Sequence, residues 1–441
     1  MCEYKFRNGR KCEEEAFENS EYCILHIDLP EDEGSEEFKR INEFKKKKVN
    51  EKINKGDSKF QGAKLFEVNF FGRNIIKTHP DCLNFEDADI RGNVSFYGIN
   101  INRHLWLEGS KIGGYFSFSE GKIGQTAFFD GARIHKFVRF SNAEINWVSS
   151  VNNSQNVTLS FTGAEIGGDV DVSESKILGA ATFNNVQIGG GIRVSGSEIR
   201  GDVCFTDAKI GGRLRYFTGV SFSGSEIGGD VDFDRTEINS SFANFNLVKI
   251  EGRLSFKDTK FKSPRAQEEA CRKAKTIHEE LGNREEADYY FYREMEARRK
   301  QKHIYFSLTP ILKIINKVKL EKRLPEFILN FLKKQRKIYW GFLELPIQYI
   351  FGYGTYWWGV LILWFSVVFG CAFLYWYGDA VVGASSFQEC IYFSIVTITT
   401  LGYGDYEPVK GIYQLLAASE AVFGTFMWAA FIAIFARKYM R

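Results

Sequence analysis

Between residues 85 and 256 a large apolar side chain is followed five residues later by isoleucine, and the pair recurs after six more. Isoleucines stand at Ile90, Ile101, Ile112, Ile123, Ile134 and Ile145, resume at Ile166, Ile177, Ile188, Ile199 and Ile210, and continue less regularly at Ile227, Ile238 and Ile250. Their partners are Phe85, Phe96, Leu107, Phe118, Phe129 and Phe140, then Phe161, Val172, Phe183, Val194, Phe205, Phe222, Phe233, Phe245 and Phe256. Self-similarity at a fixed period restricts a chain to a repeat architecture, because one unit alone cannot bury its apolar face. An eleven-residue period can also mark a right-handed helical coil. The Gly–Gly pairs at 167–168, 189–190, 211–212 and 228–229, with the β-branched content, exclude long helices here. What remains is a parallel β-helix with Phe and Ile stacked along its axis.

The spacing resembles the pentapeptide-repeat family, whose quadrilateral coils carry a large residue every five positions and a small one two before it. Ala88, Ala132, Ala143, Ala164 and Ala208 occupy that small position. The alternation of five and six departs from the family, so two units, about 22 residues, make one coil. The resemblance implies a right-handed solenoid over residues 59–262. Breaks in the period near 146–160 and 211–221 are expected to be loops or bulges. Some members of the family mimic DNA with an acidic surface. This solenoid is only mildly acidic and the whole chain carries a net charge of +3, so no nucleic-acid partner is expected.

The last hundred residues change character. Thr355 to Gly378 is apolar, aromatic-rich and uncharged, and Gly411 to Ala436 has Glu420 as its only charge; each is long enough to cross a bilayer as a helix. Between them, Ser386-Phe387-Gln388-Glu389 is a capping box, and a helix over 386–399 is too short to span. It leads into Thr397-Ile398-Thr399-Thr400-Leu401-Gly402-Tyr403-Gly404-Asp405. This run resembles the selectivity filter of two-transmembrane potassium channels, in which backbone carbonyls replace the water shell of the ion. The resemblance implies a pore module over 351–441 in the lipid bilayer. It also implies K+ held by Thr400, Leu401, Gly402, Tyr403 and Gly404 of filter 400–405, and a homotetramer, since one loop cannot encircle an ion. Asp405, Tyr392 and Phe393 match residues that support the filter. Gly424 stands where the family places a gating hinge, or else allows close helix packing. Thr425, Ile432 and Ala436 match the inner pore lining. Val396 occupies a position where some relatives place a glutamate paired to the filter aspartate, so Asp405 needs another partner or stays solvated. Leu401 replaces the more usual valine. Glu420 can hydrogen-bond behind the filter, face the cavity or snorkel to the headgroups. A second Gly-Tyr-Gly at 352–354 lacks the preceding threonines and a following acid, and reads as a surface loop.

Lys333, Lys334, Arg336 and Lys337 precede the first span, Arg437, Lys438 and Arg441 follow the second, and only Lys410 lies between. By the positive-inside rule both termini are cytoplasmic and the protein is a multi-pass protein of the cell membrane. The opening Met1-Cys2-Glu3-Tyr4-Lys5 has no apolar core, so no signal peptide is expected. No helix repeats arginine every third residue, which argues against a voltage sensor. So few residues follow Ala436 that no C-terminal regulatory ring is expected. Input to the pore should come from the N-terminal side. There, residues 263–304 read as a helical hairpin, opened by Ser263-Pro264 and broken at Gly282-Asn283. Within 305–350, Ile311 to Leu320 is basic and amphipathic, suited to the inner membrane surface or to packing on the hairpin.

Eight cysteines in a cytoplasmic setting point to thiols or metal ligands rather than disulfides. Cys2, Cys12, Cys23 and His26 suit a closed tetrahedral zinc site of structural type in a knuckle over 1–30, with Gly9 at its turn. Residues 31–58 read as a charged linker. No enzyme is expected: there is no nucleophile–base set, phosphate loop or open metal site, and His79, His104, His135, His278 and His303 are scattered. The expected function is a potassium channel whose solenoid assembles or regulates the tetramer and binds a protein or small-ligand partner. The alternative is a membrane-anchored scaffold whose pore module does not conduct.

Overall fold

The apolar ladder closes into a four-sided parallel β-helix of about eight coils. The computed structural model describes residues 1–71, 82–146, 157–211, 219–306, 336–339 and 341–439. It divides into two units, Met1–Glu294 and Met295–Arg441.

In the first unit, strands of two to four residues stack into parallel sheets of nine, seven, eight and eight strands. Isoleucine registers on isoleucine along two of the four faces. One ladder runs Ile90, Ile112, Ile134, Ile166, Ile188, Ile210, Ile238. The other runs Ile101, Ile123, Ile145, Ile177, Ile199, Ile227, Ile250. The eleven-residue period is therefore half a coil. The aromatic partners form an axial column: Phe161, Phe183, Phe205, Phe233 and Phe256 are buried and follow one another at centroid distances of 5.3, 4.7, 4.6 and 5.1 Å, nearly parallel. Each such side chain contributes about 1.5–3 kcal/mol of burial. Ala88, Ala132, Ala143, Ala164 and Ala208 are buried at the small position.

A second positional rule, not read from the period, sets the corners. The residue two after each large one lies in the left-handed region: Gly98, Gly109, Gly131, Gly163, Gly196 and Gly224, but also Asp87, Asn142, Asn185 and Leu247. The Gly–Gly pairs answer a different need. A Cβ on Gly113 would collide with the Arg91 carbonyl of the coil below, and one on Gly167 with that of His135. Of the two breaks in the period, 147–156 and 212–218 lie outside the described residues; the pairing of Val157–Ser160 with Ala180–Thr182 carries a bulge between Val157 and Leu159.

The expected linker over 31–58 is instead a helix, Glu36–Asn54, opened by Ser35, whose hydroxyl accepts from the Phe38 amide. Its buried stripe is Phe38, Ile41, Lys45, Val49 and Ile53, a helical spacing diluted in sequence by the surrounding charges. At the other end, helices Pro264–Glu280 and Arg284–Gln301 form the expected hairpin. Ser263 does not cap it with its side chain; the hydroxyl donates to the Ser241 carbonyl at 3.0 Å. Tyr290 accepts from the Phe256 amide at 2.9 Å, Arg293 donates to the Thr259 carbonyl at 2.9 Å, and buried His278 bonds the Leu254 carbonyl at 3.1 Å. These groups cover the polar backbone edge that a solenoid otherwise exposes.

In the second unit, His303–Phe306 pairs antiparallel with Arg336–Tyr339. The amphipathic segment Ile311 to Leu320 lies outside the described residues. A short helix, Leu345–Phe351, and a turn lead into the first apolar helix, Trp357–Tyr377. A second short helix, Phe387–Ile398, and a last helix, Ile412–Tyr439, follow and pack with it, while Val381–Val382 pairs with Glu407–Pro408 beside them. Both longer helices are long and apolar enough to cross a membrane.

Candidate functional site

The short helix begins as its sequence requires. Ser386 accepts from the Glu389 amide, and the Glu389 carboxylate accepts from the Ser386 amide at 2.8 Å, a complete capping box. The helix ends at Thr399, and the chain hooks back on it: the Thr400 amide donates to the Thr397 carbonyl and the Leu401 amide to that of Val396, both at 3.0 Å. Beyond that hook the backbone alternates. Thr400, Gly402 and Gly404 have φ of 56, 59 and 77°, whereas Leu401 and Tyr403 do not adopt positive φ. Alternating hand turns successive carbonyls toward one side, the arrangement a row of ion ligands needs. Thr400 is β-branched and strained there, a cost that clusters at functional sites. The second Gly-Tyr-Gly differs in kind. Gly352, Tyr353 and Gly354 are left-handed in succession, at 51, 54 and 88°, which makes a turn rather than a row.

Residues 400–405 are exposed, with Leu401 58% and Tyr403 68% accessible in the single chain. Tyr392 and Phe393 diverge. The Tyr392 hydroxyl lies beside the Asp405 carboxylate, and its ring meets Tyr406 edge-on at 5.9 Å. Phe393 is buried and meets Tyr375 of the first apolar helix edge-on at 5.0 Å. Glu420 sits among the three packed helices. It is buried, and accepts from Tyr375 at 2.8 Å and from Ser394. Sequence reasoning missed those two partners; the signal available was a lone serine in an apolar helix. Gly424 is buried where a Cβ would strike the Ile398 carbonyl, and the helix continues unbroken through it. Thr425 and Ile432 are exposed and Ala436 half-buried, and the three share one face, roughly a quarter to a third of a turn round the helix from Gly424.

The N-terminal cluster is separate. Cys2, Cys12, Cys23 and His26 are all buried, with ligand atoms within 4.8 Å of one another. His26 Nδ1 lies 3.4 Å from Cys2 Sγ and 3.2 Å from Cys23 Sγ, and the Cys12 and Cys23 sulfurs are 4.0 Å apart. Zn–S bonds of about 2.3 Å and Zn–N bonds of about 2.0 Å in a tetrahedron imply separations of roughly 3.5–3.8 Å, so the set fits zinc. The surroundings fit as well. His26 Nε2 donates to the Gln61 carbonyl at 2.9 Å, which leaves Nδ1 as the free lone pair, and the Cys23 amide donates to Cys2 Sγ at 3.2 Å. Tyr4 stacks on the imidazole at 4.0 Å. Burial draws the His26 pKa below its ordinary value, keeping the neutral ligand form, and pushes the Cys12 thiol up to about 12. Lys45, missed in the sequence, donates to the carbonyls of Ile24 and Ile27 at 2.7 and 2.8 Å. Three thiolates with a divalent ion leave one negative charge, which an ammonium here would balance.

A family model described as an ion channel matches residues 362–441, which take in most of the first apolar helix, the short helix, the filter run and the last helix. No curated protein and no solved structure matches the chain.

Proposed function

We propose that this chain forms a potassium-selective channel, a homotetramer in the cell membrane with both termini cytoplasmic. The ion-channel match covers the right segment. The observation that carries selectivity is the alternating left-handed backbone at Thr400, Gly402 and Gly404, on a run whose side chains find no cover within one chain. K+ is held by the carbonyls of residues 400–404, with Asp405 and Tyr392 side by side at the mouth. Thr425, Ile432 and Ala436 line the inner pore, and Gly424 is its hinge or its packing notch. The Cys3His centre holds a structural zinc ion that fastens the N-terminal knuckle to the first coil. The solenoid assembles or regulates the tetramer from the cytoplasmic side.

Purified protein in liposomes should pass K+ in preference to Na+, and Gly402→Asp should abolish the flux. Flux that survives Gly402→Asp at the parental level defeats the filter reading. A folded, tetrameric protein without flux favours the scaffold instead. Removing the first 260 residues and measuring flux again separates a solenoid that gates from one that only assembles.

A further inference from the structure

Glu420 lies on the last helix, Ile412–Tyr439, between two and three turns from its start, and is 3% exposed. The Tyr375 hydroxyl on the first apolar helix donates to its Oε2 at 2.8 Å. The Ser394 hydroxyl on the short helix donates to its Oε1, and also stands 3.0 Å from the Val368 carbonyl. Tyr375 and Ser394 are both fully buried. One turn further along the same face, Gly424 abuts the Ile398 carbonyl at the end of the short helix. A single carboxyl thus joins three helices. Its hydrogen-bond donors among the described residues are these two hydroxyls, with no cation paired to it.

A buried carboxyl without a cation is an expensive way to fill space, and an apolar side chain of similar volume would pack at lower cost. What the carboxyl adds is direction. Two hydrogen bonds from two different helices fix the rotation and height of the short helix, which undirected apolar contact leaves loose. The filter run hangs from that helix through the Thr397 and Val396 carbonyls. A shift of the short helix is therefore a shift of the carbonyl row.

We propose that Glu420 is a positioning residue for ion selection: through Ser394 and Tyr375 it sets the short helix, and with it the filter, against both spans. The proposal rests on the channel reading above for its effect on flux, but not for its effect on the short helix. Two readouts keep these apart in full-length tetramer in liposomes. One is K+ over Na+ flux; the other is amide exchange of residues 394–401 by mass spectrometry. In E420L, assembly should persist while exchange rises and K+/Na+ discrimination falls, each by roughly tenfold, the equivalent of losing one or two buried hydrogen bonds. E420Q, which keeps an acceptor and the shape, should hold both within about threefold. Should E420L fail to assemble, the milder pair Y375F and S394A is read in its place. The proposal falls if E420L matches the parent in exchange and discrimination, or if E420Q is as impaired as E420L. A parent that passes no K+ sinks the channel reading alone; exchange then decides whether Glu420 positions the helix.

Discussion

The two halves of this chain spend aromatic side chains in opposite ways. In the solenoid, Phe85, Phe118, Phe161 and Phe205 are wholly inside, each against its counterpart in a neighbouring coil, and helices cover both ends. In the last hundred residues Phe426 is 72% exposed and Tyr403 68%, along with Ile412, Leu415 and Ile432. The first arrangement is complete within one chain. The second leaves an apolar area that only lipid or further copies can cover, because a soluble monomer does not tolerate so large a continuous patch. Self-sufficiency and incompleteness are thus legible in one chain, and the incomplete half is the one that holds the two helices long and apolar enough to cross a membrane.

Ahead of the solenoid, the first thirty residues bury few apolar side chains besides the three cysteines, Ile24, Leu25 and Leu29, so the proposed zinc ion would be their main internal tie. Chelation or Cys23→Ser should take bound zinc from one per chain to near zero and expose residues 1–30 to protease. Structural zinc sites of this type are worth about 10–16 kcal/mol of apparent binding, the largest effect expected here. The pH dependence has a definite sign. Burial raises the thiols of Cys12 and Cys23 above their ordinary values, so the metal-free site holds protons that zinc must displace. Affinity should therefore fall as pH is lowered, by tenfold or more per unit. Zinc retention that is flat from pH 8 to pH 5 would contradict this thiolate site.

Next in size is a direct comparison of one phenylalanine from each half. Phe183→Ala removes a link of the axial column and should destabilise the first unit by about 3–5 kcal/mol in denaturant unfolding. Phe426→Ala should cost the protomer almost nothing and appear as weaker tetramer in detergent, since Phe426 has no cover within its own chain. Equal losses in protomer stability would erase the distinction between the halves.

Gly424→Ala tests the pore half more finely. If the glycine is there for close approach, a methyl group against the Ile398 carbonyl should cost about 1–3 kcal/mol of thermal stability in the tetramer. A hinge alone predicts altered gating with unchanged stability.

Much of this was readable beforehand, for a reason that differs by region. The solenoid announced itself because stacking forces the same residue type into the same place in every coil, and the left-handed turns at Gly402 and Gly404 fall on glycines because that backbone favours them. The capping box at Ser386 and Glu389 is purely local, so it too was visible. The helix Glu36–Asn54 was not, because five buried residues lie among a dense run of lysines and glutamates, and Lys45 belongs to the buried set. Nor was the partnership of Glu420 with Ser394 and Tyr375: it joins residues 26 and 45 positions apart, a separation no local pattern records.

The smallest effect concerns the corner rule that the period did not reveal. Two residues after each large side chain the backbone turns left-handed, and most of these corners hold glycine, asparagine, aspartate or glutamate. Leu247 breaks the pattern, at φ 55° and 87% exposed. Its side chain gains nothing from burial and pays the full steric penalty of that region, so here the folded state, rather than the unfolded one, dominates the balance. Leu247→Gly should stabilise the first unit by about 1 kcal/mol, and Leu247→Asn by somewhat less, because asparagine tolerates this conformation at lower cost. The control is Gly131→Leu, an equivalent corner at φ 65° with nothing within 4 Å of an added Cβ, which should destabilise by a similar amount. If both substitutions leave the denaturation midpoint unmoved, backbone hand does not shape these corners, and cross-coil stacking alone holds the solenoid in register.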